Sequence, residues 1–141
     1  MGSIPTPTAL YGILYRMNTI EKGRRGEAAI IAEFVNRDYD IYMPIFGNAD
    51  FDMIVAKDGR TYRVEVKTSA YEVRPNKYEV QLRSVRPNKT ENRIKKFDAS
   101  RSDLLAIYII PTNRVVVLDS KDYDGRTSVI IEGTVQGANR S

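Results

Sequence analysis

The sequence predicts an α/β (α+β) fold, on three observations. Residues Thr19 to Asn36 carry a helical period, with Glu27, Ile30, Ile31 and Phe34 at the i, i+3, i+4, i+7 spacing of one helix face. Residues Phe51 to Lys67 read as two strands joined by Asp58-Gly59, a pair that supplies the positive φ angles of a type I′ turn at little cost. Two later apolar runs, Leu104 to Ile110 and Arg114 to Leu118, flank a Pro-Thr-Asn turn and read as a closing strand pair. A chain of 141 residues with 42% hydrophobic content is expected to form one domain around one core. We place an N-terminal extension at 1–18, the domain at 19–135 and a disordered tail at 136–141.

In chain order, the Pro/Thr stretch before Ala9 should have little order. The apolar run Ala9 to Tyr15 is too short to span a bilayer and follows no basic segment, so neither a membrane span nor a signal peptide is expected and the location is read as intracellular, in the cytoplasm. Glu27 lies on the apolar stripe of the helix. A carboxylate there is costly unless compensated, so it is either tied to an arginine or aimed at a metal ion. Lys22, Arg24 and Arg25, interleaved with Gly23 and Gly26, put three cations near the start of the helix. The macrodipole disfavours cations there, but with free backbone N–H groups they make a cradle for phosphate. As a charge run alone they are a solvated face.

Asp40 to Pro44 is expected to be a strand, with the proline favouring a sheet edge or strand end. Phe46 to Ala49 is the loop that delivers Asp50 and Asp52. With Asp58-Gly59 as the turn, Lys57 faces Arg60, Val55 faces Tyr62, Met53 faces Val64 and Phe51 faces Val66, with the core-facing pairs on one side. The other side then sets Asp52 opposite Glu65, Ile54 opposite Arg63 and Asp50 opposite Lys67. Opposed residues have Cβ atoms roughly 5 Å apart. Two carboxylates at that separation repel by on the order of 3 kcal/mol at an effective dielectric of about 20. Either the charges splay into water, or a cation sits between them. Lys67 can neutralise part of the charge, and a hard divalent ion the rest.

Thr68 to Asn76 reads as a polar loop. Tyr78, Val80 and Leu82 alternate with polar residues as a further strand, which would turn Gln81 towards the acidic pair. A basic stretch follows, with Arg74, Lys77, Arg83, Arg86, Lys89, Arg93, Lys95, Lys96 and Arg101. Its Pro87 to Thr90 loop and a short helix near Glu91 to Phe97 are the expected contacts for a phosphate backbone. A last strand is expected at Ser128 to Ile131.

Composition excludes much chemistry. With no cysteine and no histidine there are no disulfides, no thiolate nucleophiles, no Ser-His-Asp triads and no histidine-based metal nuclease sites. Carboxylates are the only anionic ligands left, which favours magnesium-like ions. The net charge of +4 is consistent with a polyanionic partner.

An acid at the start of one strand, Asp52, then Glu65-Val66-Lys67 on its antiparallel partner, after a helix carrying Glu27, resembles the PD-(D/E)XK nuclease superfamily. The resemblance covers roughly Ile20 to Leu118. The small single-domain branches of intron homing endonucleases and Holliday junction resolvases look closest. The triplet is a weak pattern taken bare. Asp119-Ser120-Lys121 repeats it, but at a strand end with Ala106 or its neighbour across from it. Phe51 stands where the family name implies proline. Asp50 competes for the first acid, and the register favours Asp52.

The resemblance implies a restriction-endonuclease-like mixed central sheet flanked by helices, and hydrolysis of DNA phosphodiester bonds to 5′-phosphate and 3′-hydroxyl ends. It implies that Asp52, Glu65 and the main-chain carbonyl of Val66 hold Mg2+, with Mn2+ able to substitute and Glu27 contributing directly or through water. Lys67 would orient the attacking water. Cutting both strands of DNA, duplex or branched, implies a homodimer or homotetramer. The alternatives are a junction resolvase and a protein of the same fold that binds nucleic acid without cutting it.

Overall fold

The computed structural model describes residues 18–87 and 92–134, with the backbone alone for 84–87 and 92–94. The expected N-terminal extension to residue 17, with its apolar segment Ala9 to Tyr15, lies outside the described residues, as do Lys89 and the 136–141 tail. One helix, α1 (Thr19–Asn36), opens the domain and matches the bounds set by its period. Asn18 caps it, its side-chain oxygen accepting from the Glu21 N–H at 2.8 Å.

The strands follow as β1 (Asp40–Tyr42), β2 (Met53–Lys57), β3 (Arg60–Ser69), β4 (Glu72–Arg74), β5 (Lys77–Gln81), β6 (Ser84–Pro87), β7 (Asn92–Lys95), β8 (Leu104–Ile109), β9 (Arg114–Asp119) and β10 (Ser128–Glu132). The main sheet has the order β1-β2-β3-β8-β9 and is mixed: β3 and β8 run parallel, and the other neighbours are antiparallel. An antiparallel sheet β10-β5-β4 lies on its other side from α1, and β6 pairs with β7 alone.

Alternation along the strands creates two cores. Ile30 and Phe34 of α1 pack on Met53, Val55, Val64 and Ala106. On the opposite face, Leu105, Ile107 and Ile109 meet Tyr78, Val80, Leu82 and Val129 of the small sheet. Strand β8 is covered on both faces, which explains why Leu104 to Ile110 is almost unbroken apolar sequence. The layers are therefore helix, mixed sheet and small sheet, so the described helix flanks one face and strands cover the other.

The turn behaves as its residues require. Asp58 and Gly59 have φ of 53° and 76°, and the register runs from Lys57–Arg60 to Met53–Val64 as expected. Strand β1 lies at the sheet edge and ends before Pro44. The β8–β9 connection closes through Asn113 in the left-handed region.

Three expectations are corrected. Thr68 to Asn76 is not a loop: β3 continues to Ser69, and β4 joins β5 through Pro75-Asn76, with Asn76 at φ 61°. Proline followed by a positive-φ asparagine is the centre of a type II turn. The Glu91 to Phe97 segment is not a helix but contains β7, in which Ile94 faces Val85. Seven residues are too few to hold a helix unaided, and the polar-apolar-polar order of Arg93-Ile94-Lys95 suits a strand. Asp119 faces Leu104 where Ala106 or its neighbour was expected, and, as expected, no carboxylate stands across from it.

Gly26 sets how closely α1 approaches β3. A Cβ built there would lie 1.8 Å from Thr68 Cγ2, a contact no structure tolerates. We expect Gly26→Ala to lower stability by about 1–3 kcal/mol in denaturant titration, as overpacking does. Adding Thr68→Ser, which deletes that methyl, should recover most of the loss. Equal stability of Gly26→Ala and the parent would mean that the helix sits further out.

Candidate active site at the free edge of the third strand

Strand β3 has unequal neighbours. It pairs with β8 from Val64 to Ser69, but its ladder with β2 stops at Val64. Arg63 and Asp103 exchange bonds on the β8 side, the Asp103 N–H to the Arg63 carbonyl at 2.8 Å and the Arg63 N–H to Asp103 Oδ2 at 2.8 Å. The Val64 carbonyl accepts from the Asp52 N–H at 2.9 Å on the β2 side. Successive residues of a strand turn their peptide groups to opposite edges, so Val66 presents its N–H and carbonyl to the edge that β2 has left.

Asp52 fills the first gap on that edge. Its Oδ2 accepts from the Val66 N–H at 2.7 Å. The expected ladder pair of Asp52 with Glu65 is thus not formed, because β2 begins at Met53. The repulsion of two opposed carboxylates is avoided, and Asp52 instead satisfies an N–H group that would otherwise lack a strand partner.

Two depressions of about 250 Å3 each open on the two faces of β3. Asp52 shares the first with Glu27, Gly23 and Arg24 of α1 and with Val66 and Thr68 of β3. Glu27 is half-buried, and none of the ion pairs among the described residues ties it to Arg24 or Arg25. Glu65 points from the other face of β3 into the second depression, beside Lys95, Lys96 and Arg101. Its Oε2 lies 3.2 Å from Lys67 Nζ, with side chains 19% and 22% exposed. The pair is thereby shielded enough for solvent to screen it only in part.

Lys67 therefore has Glu65 as its partner, not Asp50. Asp50 is exposed and contributes its charge to Arg63, whose guanidinium is held above its ordinary pKa mainly by the hydrogen bond to Asp103. Gln81 is exposed and donates to Glu79 at 2.9 Å, and it lines neither depression. Asp119 sits with Asp103 and Lys121 in a separate depression.

The basic residues divide by place. Arg24 borders the Asp52 depression, with half-buried Lys22 and exposed Arg25 on the same helix. Lys95 and Lys96 border the Glu65 depression. Arg74 and Arg83 are exposed elsewhere, and Lys77 is engaged by Glu132 at 2.6 Å. That contact holds the Glu132 carboxyl below its usual pKa. The side chains of Arg86 and Arg93 and the whole of Lys89 lie outside what is described. Thr68 lines the first depression but was not among the site residues expected from sequence, and Arg101, expected as part of the basic stretch, lines the second. The i, i+3 spacing of Gly23 and Gly26 was the available signal for a helix face approaching β3.

The donors at the free edge are all oxygens, which suits a hard ion. Among the described residues no three carboxylates are grouped around one point. Magnesium does not require such a cage, since it usually takes one or two carboxylates and completes its shell with water and substrate phosphate. Asp52, Glu27 and the Val66 carbonyl fit that role in the first depression, with Glu65 one residue away along the strand.

A helix laid on a mixed sheet, with an acid at the point where a hairpin strand departs and Glu-x-Lys on its partner, defines the restriction-endonuclease-like class. The chain belongs to the PD-(D/E)XK endonuclease family, whose sequence profile matches residues 17–141. Membership implies a divalent metal ion and a DNA substrate. Among solved structures it is similar to a bacterial homing endonuclease, I-Ssp6803I, with a TM-score of 0.74 and 18% identity over 89% of this chain and 85% of the other. That likeness is one of fold. A search of curated protein sequences found no match. No described helix is long and apolar enough to cross a membrane.

Proposed function

We propose that the protein is a magnesium-dependent endonuclease that hydrolyses phosphodiester bonds of DNA at specific sites, in the manner of a homing or restriction enzyme. The observation that carries this reading is the Asp52 carboxylate turned onto the Val66 N–H at the free edge of β3, beside Glu65-Val66-Lys67. Asp52, Glu27 and the Val66 carbonyl would hold the ion in the first depression, with Glu65 one residue along β3 on its other face, and Mn2+ could replace the ion. When bound, the ion activates the attacking water and offsets charge on the phosphoryl oxygens.

The chain's own groups do the positioning. The hydrogen bond to Val66 fixes the Asp52 carboxylate against the strand, so little reorganisation accompanies substrate entry. Lys67, paired with Glu65 at 3.2 Å, would orient the water and stabilise the same developing charge. Lys22, Arg24 and Arg25 attract the phosphate backbone towards the Asp52 depression. One site cuts one strand, so a double-strand break takes two copies about a two-fold axis. Tyr42, Met43, Ile45 and Phe46, all exposed at the sheet edge, offer an apolar surface for that assembly.

The test is incubation of the purified chain with a plasmid library carrying random inserts, a linear duplex and a four-way junction, with magnesium and with chelator. We expect magnesium-dependent linear product from a subset of the library. Symmetric cutting of the junction alone would assign a resolvase. Tight binding to DNA with every substrate intact would leave a non-catalytic binding protein.

A further inference from the structure

We propose that the depression beside Glu65 is a subsite for a backbone phosphate of the DNA strand, next to the one being cut. It rests on the reading of the protein as a DNA endonuclease and adds a second phosphate position on the face of β3 opposite Asp52. Its floor is apolar, formed by Leu82 and Phe97, which are 2% and 4% exposed. Its rim carries Lys95, Lys96 and Arg101 against two acids, Glu65 and Asp98.

Both acids are already engaged. Glu65 is paired with Lys67 at 3.2 Å. Asp98 accepts from the Ser100 hydroxyl at 2.6 Å and from its N–H at 3.0 Å, and lies 3.6 Å from Arg101 Nε. The Ser100 bonds hold the Asp98 carboxyl below its usual pKa, so it stays ionised and keeps Arg101 in place. Lys95 and Lys96 are exposed and make no ion pair among the described residues. The net positive charge of Lys67, Lys95, Lys96 and Arg101 against Glu65 and Asp98, above an apolar floor, attracts an anion more strongly than the same charge on a flat solvated surface.

Size agrees with this ligand. The depression holds about 250 Å3. One water occupies about 30 Å3, so there is room for a phosphodiester group with part of its sugar. Position agrees as well. Glu65 and Val66 are consecutive, and each lines one depression. On the proposal, a DNA strand with one phosphate by Asp52 sets a nearby one by Lys95 and Lys96.

The experiment compares the full chain with its Lys95→Gln/Lys96→Gln variant. Amide NMR with the dinucleotide thymidylyl-thymidine, whose linkage is a single phosphodiester, should shift Glu65, Lys96 and Phe97 in the parent, and thymidine, which carries no phosphate, should not. Affinity for the phosphodiester probe should fall about tenfold in the variant. Binding of a fluorescent 20-bp duplex across a salt series should show the slope of log affinity on log salt reduced by about 2. The spectrum of the free variant checks that it is folded. A parent that binds the duplex with a salt slope the variant leaves unchanged overturns the subsite alone. A parent whose duplex binding ignores salt removes the DNA reading and the subsite with it.

Discussion

Asp52→Asn is expected to reduce cleavage by on the order of 10^3 while the protein stays folded. The asparagine side chain is nearly the same size, and its carbonyl oxygen can still accept from the Val66 N–H that Asp52 holds at 2.7 Å. What disappears is the negative charge at the free edge of β3. Exchanging a charged acceptor for a neutral one costs about 1 kcal/mol of stability. Asp52→Leu makes the contrast, because it also abandons the Val66 N–H and should cost about 1–3 kcal/mol more. Rates on a cleaved site, measured with denaturant unfolding of each variant, separate the two effects. If Asp52→Asn cuts at the parental rate, Asp52 only fastens the strand end and the metal ligands lie elsewhere.

The hairpin was legible because its determinants are local. Asp58 and Gly59 fix the turn, the turn fixes the register, and every pair from Lys57–Arg60 to Met53–Val64 follows. The helix was legible for a similar reason, since Ile30 and Phe34 must share a face. The reading failed where the ladder ends. Counting outward from a turn assumes that the strand continues, whereas Asp52 leaves it to satisfy a main-chain N–H fourteen residues later. That competition between a ladder bond and a side-chain bond is tertiary and has no periodic signal. The separation of Glu65 from Asp52 follows from the same departure, as does the pairing of Lys67 with Glu65. Strand β7 was missed because a short, lysine-rich stretch has helix propensity that the pairing with β6 overrides.

Glu65→Ala is expected to abolish cleavage and to weaken the fold modestly, with most DNA affinity retained. The first effect comes from losing a charge one residue along β3 from the edge at which the phosphate reacts, on the order of 10^3 in rate. The second comes from Lys67. With both side chains about one-fifth exposed, the ammonium that Glu65 holds at 3.2 Å would lose its partner in a partly desolvated place. A fully buried pair broken this way costs about 3–5 kcal/mol and an exposed one less than about 1, so a loss of about 1–2 kcal/mol is expected here. Glu65→Ala/Lys67→Ala should regain part of that stability, since no unpaired charge remains, yet stay inactive. The four proteins of this double-mutant cycle measure the coupling directly. Duplex binding in chelator should change little in Glu65→Ala, because the phosphate-contacting cations remain. A variant that lacks Glu65 and still cuts would remove this residue from the active site. A cycle with no coupling would mean that Lys67 finds another anion and is free to act without Glu65.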